Sequence, residues 1–171
     1  MKNIKVSIIM GSDSDLDIMK KSIDILNEFG IQNEVAIISA HRTPKILDTY
    51  VKKLKSRGVQ VVISGAGGAA ALPGVVAALT QIPVIGVPIN SSNSINGWDS
   101  ILSILQMPSG IPVATVALDG AKNAGLLAIR ILSLQDMTIS KKLEDFIKNM
   151  EAAVIAKSKV IKERGFNPAE L

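Results

Sequence analysis

The chain has no cysteine and a single histidine, His41. The first absence excludes disulfides and thiolate metal sites and fits a reducing compartment, the cytoplasm. The second leaves transition metals with too few nitrogen or sulfur ligands. Aromatic residues make up only 3% of the 171 positions, while hydrophobic residues make up 47%. The core must therefore be built from Val, Ile, Leu and Ala, side chains that pack well between a buried parallel sheet and its covering helices. No apolar run approaches the roughly 20 residues that span a bilayer. The opening MKNIKVSIIM carries too short an apolar run for a secretory leader and ends in the turn-like GSDSD, so none is expected. A net charge of +4 is mild, and much of it comes from lysines spread through helical segments after Lys141. That pattern describes a solvated surface, and neither nucleic acid nor membrane is expected as a partner. P-loop and serine-hydrolase elbow motifs are both missing.

What is present is a regular alternation of strand and helix patterns. Lys5–Met10 reads as a strand, followed by a helix over Asp13–Phe29 with Leu16, Met19, Ile23 and Leu26 on one stripe and Gly30 as its stop. Val35–Ile38 is the second strand, and Thr43-Pro44 supplies a cap and first turn for a helix burying Leu47, Tyr50, Val51 and Leu54. Val59–Ser64, Pro83–Val87 and Pro112–Leu118 complete five strands, with helices at Leu72–Thr80, Trp98–Gln106 and Ala121–Leu132. Such an order predicts a single α/β domain over residues 1–171, a flavodoxin-like three-layer arrangement with a parallel sheet and a regular core to about residue 133. An additional helix at about 139–164, capped by Ser140, carries Leu143, Phe146, Ile147, Met150 and Val154 on one stripe. That stripe needs a cover, and a subunit interface would provide it.

In folds of this kind ligands bind beyond the carboxyl ends of the strands, which directs attention to four loops. In Gly11–Asp15 the glycine permits a tight turn, Ser12 and Ser14 add hydroxyls, and the helix start attracts anions. This is a phosphate seat in which Asp15 could bond ribose hydroxyls, but Ser12-x-x-Asp15 is equally a plain capping box. Ser39–Thr43 concentrates a hydroxyl, the lone imidazole of His41 and the Arg42 guanidinium at one sheet edge. Arginine suits bidentate phosphate contact and histidine suits proton transfer, although a lone histidine is as often a surface or capping residue. Gly65-Ala66-Gly67-Gly68-Ala69-Ala70 fits the G-x-G-x-x-A dinucleotide pattern, but no acidic residue follows at the end of the next strand. A wall without side chains, at which Ala66, Gly67 and Gly68 admit a flat heterocycle, is the alternative, and close helix–strand packing is the plainer one. Pro88–Asn96, with the polar stretch Asn90–Asn96, forms the fourth loop. A phosphoacceptor domain would need an aspartate at the end of strand three, where Ser64-Gly65 stands.

Taken together, Met10–Asp15, Ser39–Pro44, Gly65–Ala70, Leu72-Pro73-Gly74, Pro83–Pro88, Gln106-Met107-Pro108 and Gly110–Ala117 resemble, in order and spacing, the N5-carboxyaminoimidazole ribonucleotide mutases of purine biosynthesis. The resemblance runs to about Leu132. It implies a flavodoxin-like homo-octamer that moves a carboxylate from the exocyclic nitrogen of an aminoimidazole ribonucleotide to ring carbon C4, without metal or organic cofactor. It further implies that Ser12, Asp15 and Arg42 bind the nucleotide, that Ser14 and Ser39 assist at its phosphate, and that His41 is general acid and base. Many members carry histidine before Leu-Pro-Gly, where this chain has Ala71. Gly97-Trp98-Asp99-Ser100 and Gln106-Met107-Pro108 look more like the mutases than like the related carboxylases that use free carbon dioxide. A non-catalytic nucleotide-binding module is the alternative outside enzymes.

Overall fold

The β-branched runs become five parallel strands: β1 (Val6–Met10), β2 (Asn33–Ile37), β3 (Val61–Gly67), β4 (Val84–Ile89) and β5 (Ala114–Thr115). The structure, a computed structural model, describes residues 4–167, in two compact units that divide after Leu132. In the first unit the strand order is β2-β1-β3-β4-β5, so the sheet winds outward in both directions from the β1–β3 pair. That pair is the switch point of a flavodoxin-like sheet, where the loops leaving neighbouring strands diverge and open a crevice. Met10 lies opposite both Ile37 and Gly65, which brings the ends of β1, β2 and β3 to one level.

Helices cover the two faces. On one, α2 (Pro44–Lys52), α3 (Leu72–Leu79) and α4 (Trp98–Leu105) bury Leu47, Val51, Val76 and Ile104 against Ile9, Val62 and Val84. On the other, α1 (Leu16–Glu28) packs against α5 (Ala121–Ser133), where the buried Ser22 hydroxyl donates to the Ala121 carbonyl at 2.6 Å. Gly125 makes this contact close: a Cβ there would meet Ile25 and stand 3.2 Å from the Ser22 carbonyl oxygen, which is backbone and cannot swing aside. Gly125→Ala is accordingly expected to lower stability by about 1–3 kcal/mol despite better helix propensity. Urea denaturation checks this, and an unchanged or raised midpoint would contradict the packing.

Several element ends differ from the sequence expectation for identifiable reasons. The first helix is preceded by a 3₁₀ turn over Asp13–Asp15, and its buried stripe is Met19, Ser22, Ile25 and Leu26, with Leu16 exposed. It does stop at Gly30, which sits at φ 74° while its N–H bonds the Asn27 carbonyl and that of Ile31 bonds Leu26, the two bonds of a Schellman ending. Thr43 precedes α2, but its hydroxyl turns back onto Ser39 and makes no cap bond. β3 runs on through Gly67 because Gly65, Ala66 and Gly67 find ladder partners in Val87, Pro88 and Ile89. β5 is only two residues long, although Val116 and Asp119 still donate to the Gly86 and Pro88 carbonyls of β4.

Among the described residues the second unit holds one long helix, α6 (Met137–Glu163). Its cap is Asp136, not Ser140: the Asp136 carboxylate accepts from the N–H groups of Thr138 at 2.9 Å and Ile139 at 3.2 Å. Ile147, Met150 and Val154 are exposed along it. No helix among the described residues is long and apolar enough to cross a membrane.

Candidate active site

A cavity of about 430 Å³ lies where the loops after β1, β2, β3 and β4 come together, beyond the carboxyl ends of the strands. Ser12, Ser14 and Asp15 line it from the first loop, and Ser39, His41 and Arg42 from the second. Ala66 and Gly67 line it from β3, followed by Ala69, Ala70 and Ala71. Ser91, Ser92 and Asn93 close the remaining side. Among the described residues no group of three His, Asp or Glu side chains forms.

The first loop combines both sequence readings. Ser12 accepts from the Ser14 N–H at 3.3 Å, not from that of Asp15, while the Asp15 carboxylate takes the Ser12 N–H. The capping bonds thus hold the turn, and the hydroxyls remain on the cavity, Ser14 donating to Ser12 at 2.9 Å. Asp15 is 5% exposed. Burial pushes its carboxyl above the ordinary value of 3.8, against the bonds from Ser14 and Ser12 and with a smaller push from the neighbouring Asp13. Between the unfolded and folded pKa the fold binds more protons than the open chain, so this group's contribution to stability falls as pH rises through that window. Asp15→Asn is therefore expected to leave the fold as stable or more stable at about pH 7 and to flatten the loss as pH rises above about 4. Denaturant titrations at the two pH values test this, and a variant weakened more at neutral than at acid pH would refute it. A charge kept at the fold's expense on a cavity wall makes Asp15 a candidate ligand-binding group.

The second loop is shaped by a reciprocal turn. The Thr43 hydroxyl accepts from the Ser39 N–H at 3.1 Å and donates to the Ser39 carbonyl at 3.0 Å, and the Thr43 N–H bonds the same carbonyl. This tight closure projects His41 and Arg42 from its tip, both exposed. The His41 imidazole makes no hydrogen bond among the described residues, which leaves both ring nitrogens available to a ligand. Arg42 reaches across the cavity mouth, its Nη2 donating to the Gly11 carbonyl at 3.2 Å and its Nε to the Ser39 hydroxyl at 3.4 Å. Among the described residues it joins no ion pair, unlike Lys20 with Asp24, Lys52 with Asp48 and Arg57 with Glu34. Its charge is therefore uncommitted beside three serine hydroxyls, an arrangement that fits phosphate.

The glycine run divides its roles by position. A Cβ at Gly65 would strike the Met19 sulfur of α1, so this glycine serves helix–strand packing. A Cβ at Gly67 would strike Ser91, and one at Gly68 would stand 2.9 Å from the Asn93 amide nitrogen. Gly68 itself is buried at φ 60° and does not line the cavity. The bare main chain here lets the loop after β4 settle onto the sheet end. Ser91, Ser92 and Asn93 were not singled out from the sequence, although their loop was. Their only signal was the Ser/Asn-rich composition directly after a buried strand.

Comparison with known proteins agrees with this geometry. A family model described as AIR carboxylase matches residues 5–153. The chain is 58% identical over 161 residues to the N5-carboxyaminoimidazole ribonucleotide mutase of Pyrococcus horikoshii, covering 94% of this chain and 90% of that one. It is 51% identical over 162 residues to the mutase of the same name from Thermotoga maritima, covering 95% and 94%. With the phosphoribosylaminoimidazole carboxylase of Candida glabrata it shares 48% identity over 161 residues, but spans only 28% of that protein. Among solved structures, the crystal structure of Treponema denticola PurE superposes with a TM-score of 0.82 at 33% identity, over 92% of this chain and 98% of that one.

Proposed function

The chain belongs to the AIR carboxylase family, and on that premise we propose that it interconverts N5-carboxyaminoimidazole ribonucleotide and 4-carboxy-5-aminoimidazole ribonucleotide in de novo purine biosynthesis. The observation that carries the reading is the convergence of Arg42, Asp15 and His41 on one cavity at the β1–β3 switch point, two of them suited to a ribonucleotide and the third to moving a proton. The higher identity to the two mutases, 58% and 51%, than to the carboxylase, 48%, favours the isomerase within the family.

Arg42 with Ser12, Ser14 and Ser39 holds the phosphate, and the buried Asp15 carboxylate accepts from ribose hydroxyls. The heterocycle lies against Ala66 and Gly67, beside the tip that carries His41. Protonation of the carbamate nitrogen by the imidazole releases carbon dioxide and leaves aminoimidazole ribonucleotide. The carbon dioxide, confined between the β3 end and the Ser91–Asn93 segment, is attacked by nucleophilic C4, and the C4 proton returns to the imidazole. Proton and carboxyl are both conserved over the cycle. Confinement supplies the effective concentration that lets recapture outrun escape.

The site occupies the regular core, and the whole chain acts as one catalytic domain. It works in the cytoplasm as a homo-octamer, whose interfaces cover the apolar residues exposed on α4 (Trp98, Leu102, Leu105) and α6 (Ile147, Met150, Val154). The deciding experiment compares kcat/KM for the carbamate with that for aminoimidazole ribonucleotide plus bicarbonate. A clear preference for the carbamate is expected, and the opposite preference would make the protein a carboxylase.

A further inference from the structure

The segment that closes the cavity is held from outside it. The Asn90 N–H, at the start of this segment, donates to the Asp119 carboxylate at 3.0 Å, and the Asp119 N–H donates to the Pro88 carbonyl at 2.8 Å. Asp119 thus grips both sides of Ile89, the last residue of β4, from 29 positions beyond Asn90 along the chain. It does so at φ 55°, a left-handed backbone that aspartate and asparagine tolerate better than most side chains. It does not line the cavity. At the far end of the segment the Asp99 carboxylate accepts from the Ser94 hydroxyl and from the Ile95 N–H at 3.1 Å. Between these two fixed points Ser91 donates to Asn93 at 2.7 Å, and both residues rest on Gly67 and Gly68.

The geometry points to Asp119 as a positioning residue that sets how tightly the closed site retains carbon dioxide. This inference rests on the mutase reading above. With the Asn90 N–H unfastened, the Ser91–Asn93 segment loses its anchor at the strand end. The gap it then opens lies beside the place where carbon dioxide waits between leaving nitrogen and reaching C4. The phosphate and ribose contacts of the first two loops do not depend on this tie, so nucleotide binding should survive while recapture suffers.

The test supplies carbamate labelled with ¹³C in its carboxyl group, in unlabelled bicarbonate buffer, and measures by mass spectrometry how much label the product keeps, with a no-enzyme control for spontaneous breakdown. Wild type should keep most of it. Asp119→Gly removes the acceptor oxygen yet suits the left-handed backbone, and should raise the fraction of turnovers that lose label by about tenfold or more with a smaller change in KM. Asp119→Asn retains an acceptor oxygen and should behave as wild type. Equal retention in wild type and Asp119→Gly would overturn the inference, as would equal leakage from the glycine and asparagine variants. If Asp119→Gly fails to fold, Asp99→Ala, which frees the other end, decides it: unchanged retention there would overturn the inference as well. Failure of the wild type to convert the carbamate at all would instead remove the mutase reading.

Discussion

His41→Asn is expected to lower turnover by about 10²–10⁴-fold while leaving ribonucleotide affinity nearly unchanged. The reason is positional. The imidazole stands at the tip of the Ser39–Thr43 turn, bonded to nothing else among the described residues, while the proposed phosphate and ribose contacts belong to other side chains. Asparagine preserves size and polarity but holds no titratable proton. Because Ala71 occupies the position where many family members carry a second histidine, no other imidazole can take over either transfer. Both half-reactions should therefore fail together: release of carbon dioxide from the carbamate, and exchange of the C4 proton of aminoimidazole ribonucleotide with solvent deuterium. Calorimetric titration with the product nucleotide measures the binding side. A variant that exchanged the C4 proton at the wild-type rate but no longer consumed carbamate would assign the second transfer elsewhere and refute the single-imidazole cycle.

Arg42→Ala should weaken the nucleotide by about 1.5–3 kcal/mol more than it weakens the dephosphorylated nucleoside, the worth of a hydrogen bond to a charged group. That is a differential of about 10- to 150-fold in Kd. The nucleoside control is essential because Arg42 also ties the first two loops together through the Gly11 carbonyl and the Ser39 hydroxyl. Losing those neutral bonds loosens the site for both ligands alike, whereas losing the charge matters only where a phosphate is present. Arg42→Lys should recover part of the differential, since the charge returns without the planar fork. Equal losses on nucleotide and nucleoside would show that Arg42 braces the loops and does not hold phosphate.

The order of elements was readable because each β-branched run and each apolar helical stripe announces its own period, and alternation of the two admits few arrangements. The ends were less readable, since they depend on partners distant in sequence. Gly65-Ala66-Gly67 has poor strand propensity, yet Val87 to Ile89 draws it into the ladder. Ser140 is a good cap by type, but Asp136 stands four positions earlier and captures two N–H groups. In the site, the first two loops could be singled out because their chemistry lies in contiguous residues. Asp119 could not, because its role exists only where the chain returns beside Asn90. Asn93 likewise gained meaning only once Gly68 was seen to make room for it.

The bare main chain along the cavity has a consequence for how the protein drifts over generations. A wall of ordinary side chains can be reshaped in either direction, by trimming or by enlarging. At Gly67 only enlarging exists, and its first increment runs into Ser91. The route by which most pockets acquire new substrates, shaving a residue to admit a bulkier group, is closed on this side from the start. Innovation would have to enter through the Ser12–Asp15 loop, the His41–Arg42 tip or the Ser91–Asn93 segment, the sides of the cavity still furnished with side chains that can shrink.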